Sequence, residues 1–310
     1  MKIYYSIDDF QPLPYAVVTS GTFDGVHVGH QTILKRLQET ALRHQGETVV
    51  ITYWPHPRLV LKPEEQDLRL LNTFEEKAAL LKEHGVQHLL RIPFTKEFSS
   101  ISSQAFITGI LVNKLGTRKL VIGYDHRFGK NREGSFEQLK ANAPTYGFDV
   151  EEIPKQEVDH VGVSSSKIRK ALLEGDIATA RHFLGQSYSL TGRVVKGDRL
   201  GRVLGFPTAN LQLDFPYKLI PAQGIYAVTV QHEAHRYDGM LYIGNRPTVD
   251  GKRQVIEVNL FDFNQEIYGE SLQVNFVSLL RGDSRFADLE ELKHQLQRDK
   301  EAALQILRPS

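Results

Sequence analysis

No cysteine occurs among the 310 residues, and that absence removes several chemistries at once. There are no disulfides, no thiolate metal ligands and no cysteine nucleophile, so a Zn²⁺ ion would have to be held by His and carboxylates. A chain without disulfides fits a reducing compartment. Long apolar runs are missing too: none approaches the roughly 18 residues needed to span a bilayer. The N-terminal segment Met1-Lys2-Ile3-Tyr4-Tyr5-Ser6-Ile7-Asp8-Asp9 carries charges where a signal peptide has its apolar core. Nor is there an excess of charge. Lys and Arg number 38 against 37 Asp and Glu, a formal net charge of +1 that makes no case for a nucleic-acid partner. These absences lead us to expect a soluble, cytoplasmic protein with neither a membrane nor a nucleic acid as partner. Its length makes two domains the better expectation.

What is present falls into two textures. Up to about residue 186, short apolar runs alternate with longer helical patterns. Strands are predicted at Ala16–Thr19, Val49–Tyr53, Val86–Ile92, Lys119–Ile122 and Phe148–Ile153. Thr73-Phe74-Glu75-Glu76 fits a capping box with Gly85 as the stop, and Ser102 or Ser103 can cap a helix running through Phe106, Ile110 and Leu111. Strand alternating with helix predicts an α/β unit, a parallel sheet covered on both faces, with ligands beyond the carboxyl ends of its strands. After Ser187 the chain reads as strands in succession: Leu190–Val195, Ile225–Val230, Tyr237–Ile243, Val255–Phe263 and Leu272–Leu279. That pattern suggests an all-β antiparallel barrel or sandwich. Ala287–Leu307 is one amphipathic helix. The border is expected near Gly185-Gln186-Ser187, giving domains 1–186 and 187–310.

The most telling segment is Gly21-Thr22-Phe23-Asp24-Gly25-Val26-His27-Val28-Gly29-His30. It joins a buried strand to a helix, with two histidines at the turn. Glycine allows close backbone approach, and a helix N-terminus offers unpaired N–H groups that favour an anion. His27 and His30 placed there can hold phosphate oxygens and stabilise charge at an attacked phosphorus. The ligand implied is a nucleotide. A metal pair is the competing reading, but no third ligand is evident nearby.

Three further segments follow strands or open a helix. Tyr53-Trp54-Pro55-His56-Pro57 reads as a loop held extended by its prolines at the ligand edge. Gly123-Tyr124-Asp125-His126-Arg127-Phe128-Gly129 places Asp125, Arg127 and Phe128 at a loop start. In Val163-Ser164-Ser165-Ser166-Lys167-Ile168-Arg169, hydroxyls at a helix start precede two cations, which suits a triphosphate. Taken alone, Ser164–Ser166 reads first as an N-cap, and Asp125 as a residue satisfying its own turn.

The second half holds another constellation. Gly192–Arg202 is Gly- and Arg-rich, without the spacing of a Walker A loop, and contains Gly197, Gly201 and Arg202. It leads to Leu204-Gly205-Phe206-Pro207-Thr208-Ala209-Asn210. Thr208 and Asn210 offer oxygen ligands suited to Mg²⁺, or simply form a turn after Pro207. Glu257 stands mid-strand among β-branched residues, on the same face as Asn259 by alternation. It is either a buried base that accepts a hydroxyl proton or an outward carboxylate on a wet face.

GTFDGVHVGH resembles the HxGH signature of nucleotidylyltransferases, and its FDGVHxGH form resembles the first domain of bacterial bifunctional riboflavin kinase/FAD synthetases. WPHP, GYDHRFG and VSSSKIR occur in that family's order. The resemblance implies a Rossmann-like nucleotidylyltransferase sheet that adenylylates FMN with ATP. His27, His30 and Arg169 would act on the phosphates. Gly21, Phe23, Asp24, Gly29, Ser164 and Ser165 would bind ATP, and Asp125 and Phe128 the flavin. His126 departs from the Phe usual there. GRVLGFPTANL, GIYAV, GMLYIGNRPTVDG, IEVNLFDF and LLRGDSRF resemble the riboflavin kinase domain, a six-stranded antiparallel β-barrel with a C-terminal helix. It would phosphorylate riboflavin with ATP, using Thr208 and Asn210 for Mg²⁺ and phosphates, Gly197, Gly201 and Arg202 for ATP, Glu257 as general base, and Arg281 and Phe286 for flavin. Alternatives are an adenylyltransferase with another acceptor, which would need no such barrel, and a flavin-binding regulator without turnover.

Overall fold

The computed structural model describes residues 1–64, 67–124, 127–130, 133–154, 162–197, 200–248 and 251–308; of residues 200, 246–248 and 251–253 the backbone alone is described. Asp125 and His126 lie outside the described residues, as do Asp198 and Arg199 of the Gly- and Arg-rich run. The chain divides into two compact units, Met1–Ser165 and Ser166–Ser310.

The first unit is built on a six-stranded sheet of β1 (Lys2–Tyr4), β2 (Ala16–Ser20), β3 (Glu47–Trp54), β4 (His88–Pro93), β5 (Thr117–Gly123) and β6 (Asp149–Ile153). Its order is β1-β4-β3-β2-β5-β6, and every pairing is parallel. All five residues of β2 are buried, as expected for a central strand covered on both faces. Alternation divides its side chains. Val17 packs with Leu34 and Leu37 of α1 (Val28–Arg43), while Ala16 and Val18 pack on the opposite face with Phe106 and Ile110. After β2 the chain moves one way to β3 and β4, then crosses to β5 on the other side. The carboxyl ends of β2 and β5 therefore flank a topological switch point, the usual ligand crevice of such sheets.

Helix starts follow local chemistry. His56 caps α2 (Pro57–Leu61), with its Nδ1 accepting from the Arg58 amide at 3.2 Å. The expected extended loop is therefore only partly present: Pro57 suits the first helical position, where its missing N–H costs nothing. Helix α3 (Phe74–Glu83) has the expected capping box, with Thr73 Oγ1 accepting from Glu76 N at 3.2 Å and Glu76 Oε2 from Thr73 N at 2.9 Å. Strand β4 starts later than the expected Val86, because the Val86 amide turns back to Leu81 O and closes α3. After the short α4 (Lys96–Ser99), Ser102 caps α5 (Ser103–Ala105), which widens into a π-helix over Phe106–Lys114. Helix α6 (Phe136–Tyr146) precedes β6.

The second unit opens with α7 (Ser165–Leu173, whose first residue belongs to the first unit) and α8 (Ile177–Leu184). A closed barrel follows, formed by β7 (Ser189–Val195), β8 (Ala209–Gln212), β9 (Gly224–His232), β10 (His235–Thr248), β11 (Gly251–Leu260) and β12 (Ser271–Arg281) in the order β10-β11-β8-β7-β12-β9. All its pairings are antiparallel. The short α9 (Leu200–Val203) lies between β7 and β8. Strand β8 occupies the stretch after Pro207 that reads equally as a turn. The expected strand 255–263 ends at Leu260, before Asp262 adopts a left-handed φ of 57°. Helix α10 (Leu289–Leu307) starts after Asp288, whose side chain caps it, rather than at Ala287. Leu292 and Leu296 of α10 pack with Phe206, Met240 and Phe261 of the barrel.

Candidate active sites

Beyond β2 the chain makes an uncommon turn. Phe23, Gly25 and Val26 all have positive φ (48°, 90° and 40°), and a β-branched residue such as Val26 is rarely left-handed. The segment before α3 holds this turn from outside. Asp24 Oδ1 accepts from Leu71 N at 2.9 Å, and Gly25 N donates to Asn72 Oδ1 at 2.8 Å. Both Asp24 and Asn72 are buried. The Ser165 hydroxyl donates to Asp24 O at 2.9 Å, tying the first serine of α7 to the same turn, with Ser164 immediately before it. Arg169 lies four residues further along α7.

His27 ends the turn as the N-cap of α1, its Nδ1 accepting from His30 N at 3.4 Å; the neutral ring then carries its hydrogen on Nε2. The two imidazoles stack with centroids 3.6 Å apart. His30 Nδ1 is buried with no hydrogen-bond partner. Burial foremost, then His27 and the charge of Lys77, hold His30 well below the usual histidine value, so its ring is neutral near pH 7.

A cavity of about 610 Å³ opens at these strand ends. Gly21, Phe23, His30 and Phe128 line it, together with Tyr53, His56, Arg58 and Arg127. Gly29, Asp24 and His27 are buried in the turn and helix start. Phe128 packs against Phe106, and a Cβ on Gly134 would come within 2.5 Å of its ring, so the ring lies flush on that backbone. Burial pushes the Tyr53 phenol up to about 12 and keeps it a neutral hydrogen-bonding wall.

In the second unit a cavity of about 300 Å³ lies between barrel and α10, lined by Gly201, Thr208, Glu257, Asn259, Arg281 and Phe286. Glu257 faces it, in line with its alternation with Asn259. Its cross-strand partners are Tyr242 on β10 and Asn210 on β8. Directly opposed residues share a face, so Asn210 and Glu257 emerge side by side. Asn259, buried, donates to Pro207 O at 2.6 Å and fixes the turn before Thr208. At Gly197 a Cβ would fall 2.1 Å from Asn210 Nδ2, so a glycine lets that backbone pass over the amide. Thr208 and Arg202 also line an adjoining recess of about 500 Å³.

A register shift in β12 between Leu279 and Arg281 re-aims Arg281 at the barrel mouth. Its Nε and Nη2 bind the Asp299 carboxylate at 3.0 and 2.8 Å, and its guanidinium stands 5.5 Å from the Phe286 ring centroid. Asp299, its side chain 4% exposed, is one functional neighbour that sequence reasoning missed. Lys77 and Asn72 are others. For Asp299 and Lys77 the signal is a polar residue on the apolar side of a helix: Lys77 shares the face of Phe74, Ala78 and Leu81, and Asp299 that of Leu292, Leu296 and Ala303. Asn72, in a loop, gave none.

Comparisons with known proteins show the family of each unit. A family model described as FAD synthetase matches residues 10–167, and one described as riboflavin kinase matches residues 184–307. The bifunctional riboflavin kinase/FMN adenylyltransferase of Escherichia coli (strain K12) is 38% identical over 302 residues, 96% of each chain. The protein of that description from Pseudomonas fluorescens is 39% identical over 296 residues, covering 95% of this chain and 94% of its own. A solved Streptococcus pneumoniae structure, described as a macrolide-efflux protein, is 31% identical, with a TM-score of 0.88 over 100% of this chain and 99% of its own. Its description concerns efflux, whereas no described helix here is long and apolar enough to cross a membrane. With both family models matched in order and relatives aligned over nearly the whole length, the chain belongs to the bifunctional riboflavin kinase/FMN adenylyltransferase family.

Proposed function

We propose that the N-terminal cavity joins FMN to the adenylyl group of ATP and that the barrel cavity makes FMN from riboflavin and ATP. The observation that carries this is that each unit has its own cavity, walled by its own phosphate-type motif. We set the functional border at 186/187, just ahead of β7.

In the first reaction an FMN phosphate oxygen attacks the α-phosphorus of ATP. The new O–P bond forms as the bond to the β-phosphate breaks, and pyrophosphate leaves. No acid–base group is needed, so the protein's part is positioning and charge stabilisation. The Gly21–Asp24 turn and Gly29 let backbone N–H groups approach the phosphates, and Ser164 and Ser165 add hydroxyls. His27 and His30 donate to oxygens that gain charge, while Arg169 supplies a fixed cation. Phe128 gives the flavin an apolar wall, and Asp125 is assigned to the flavin on the family resemblance.

In the second reaction the ribityl 5′-hydroxyl attacks the γ-phosphorus, Glu257 accepts its proton, and ADP leaves. Arg281 and Phe286 hold the flavin in the 300 Å³ cavity. Gly197, Gly201 and Arg202 border the phosphates, Gly201 from the cavity wall and Arg202 from the adjoining recess. Thr208 and Asn210, hard oxygen donors beside the Glu257 carboxylate, fit Mg²⁺. Held by those residues, Mg²⁺ would supply positive charge that offsets the charge of the phosphates.

Labelled ATP tests both halves in one experiment. γ-Label is expected in FMN and α-label in FAD, and absence of either product from riboflavin and Mg-ATP would overturn the proposal. His30→Ala should stop FAD formation while FMN accumulates. Glu257→Ala should stop FMN formation yet leave added FMN convertible. A single substitution silencing both steps in folded protein would show that the sites are not separate.

A further inference from the structure

Lys77 is buried, 3% exposed, on the face of α3 that also buries Phe74, Ala78 and Leu81. An ammonium there loses its hydration, and an apolar side chain would suit the position better. Its Nζ donates to Thr22 O at 2.9 Å and to Thr52 Oγ1 at 3.2 Å, and stands 5.2 Å from the centroid of the Trp54 ring. The Thr52 hydroxyl donates to the same Thr22 carbonyl at 3.3 Å. Thr22 lies between Gly21 and Phe23 on the cavity wall, while Lys77 is not on that wall. The titratable groups on which its ammonium acts are the Asp24 carboxylate and the His30 imidazole, both in the motif. A buried cation has thus been spent on the backbone and the histidine of one loop, where packing alone would favour Leu or Met.

We propose that Lys77 is a positioning residue for adenylyl transfer, fixing the Gly21–Asp24 turn through the Thr22 carbonyl and setting a positive charge behind the wall that receives the triphosphate. The proposal rests on the reading of this cavity as the adenylyltransferase site. Lys77 acts through the loop and not by touching substrate. Its charge also adds to burial and His27 in keeping His30 neutral, so the imidazole meets the nucleotide as a neutral donor.

The test uses the full-length protein and three variants. Lys77→Met keeps the length but removes both hydrogens and charge, Lys77→Gln keeps donor hydrogens alone, and His30→Ala is the control for the site. We expect Lys77→Met to lower kcat/KM for FAD formation from added FMN at least tenfold, Lys77→Gln to fall between it and the wild type, and riboflavin phosphorylation to stay within twofold. The NMR titration of His30 should move upward in both lysine variants, a shift that a merely structural lysine would not cause. FAD formation within twofold of wild type in both, or an unmoved His30, overturns the proposal. If Lys77→Met fails to fold, Lys77→Gln decides by the same criteria. Should His30→Ala leave FAD formation intact, the reading of the site itself fails; should His30→Ala silence it while the lysine variants do not, the role of Lys77 alone fails.

Discussion

Burying Lys77 gives the first domain a stability that depends on pH with an unusual sign. Burial lowers its value from 10.5 to about 8, with Asp24 pulling the other way. Most partnered lysines are raised on folding and lose stability as the pH climbs. Here the folded state releases its proton first. Below pH 8 both states are protonated and the fold bears the whole cost of the buried charge. Between about 8 and about 10.5 only the unfolded chain keeps the proton, so stability rises with pH. A gap of about 2.5 units is worth about 3 kcal/mol across that window. Lys77→Met has no proton to release, and its lost hydrogen bonds cost the same at every pH, so they cancel in the difference. The neighbouring groups do not blur the window: His30 is held well below the usual histidine value, and Tyr53 titrates only at about 12. Trp54, the one tryptophan in the sequence, sits beside Lys77 and reports unfolding of this unit by fluorescence. Urea unfolding of both proteins from about pH 7 to about pH 10.5 should show the wild type gaining about 3 kcal/mol on the variant, mostly above pH 8. A flat difference would refute the premise that Lys77 is buried as a cation.

Two further outcomes concern the barrel. Gly197→Ala places a Cβ 2.1 Å from Asn210 Nδ2 and must push that amide aside. Riboflavin phosphorylation should fall at least tenfold while FAD formation from added FMN is unchanged; equal kinase rates would show that Asn210 is not needed where it stands. Asp299→Ala leaves Arg281 without its buried carboxylate. Because the Arg281 side chain is 22% exposed and can recover some hydration, the loss should sit near the low end for broken buried pairs, about 3 kcal/mol. Thermal melting reads that loss, and a raised KM for riboflavin with adenylylation intact reads the displaced Arg281.

The α/β order and the barrel were legible because their strands are periodic and separated by Gly, Pro and Asp turns. The elements that escaped are those too short to show a period. Strand β1 has three residues, and β8 has four, one of them an Asn that propensity assigns to a turn. In both cases tertiary pairing overrides local preference: β1 joins the sheet edge at β4, and β8 closes the barrel between β7 and β11. The π-helix at 106–114 went unread because a five-residue hydrogen-bond step leaves no distinct mark in a run of apolar residues.

The sites divide along the same line. A motif read from neighbouring residues gives chemical type, so the histidines, serines and Glu257 could be named from sequence. What holds them in register is a set of long-range bonds that no local pattern contains. Ser165 reaches Asp24 across 141 positions, Asn72 reaches Gly25 across 47, and Lys77 reaches Thr22 across 55. These contacts act on the backbone of the turn. Had they acted on substrate-facing side chains, the charge pattern of the motif would have betrayed them. The turn itself explains the need: with Phe23 and Val26 both left-handed, its conformation costs roughly 1–3 kcal/mol per residue and persists only where neighbours over-determine it. A strained loop that presents glycine backbone and two histidines to an anion therefore requires anchors behind it. In this chain they are a serine hydroxyl, an asparagine amide and a buried lysine.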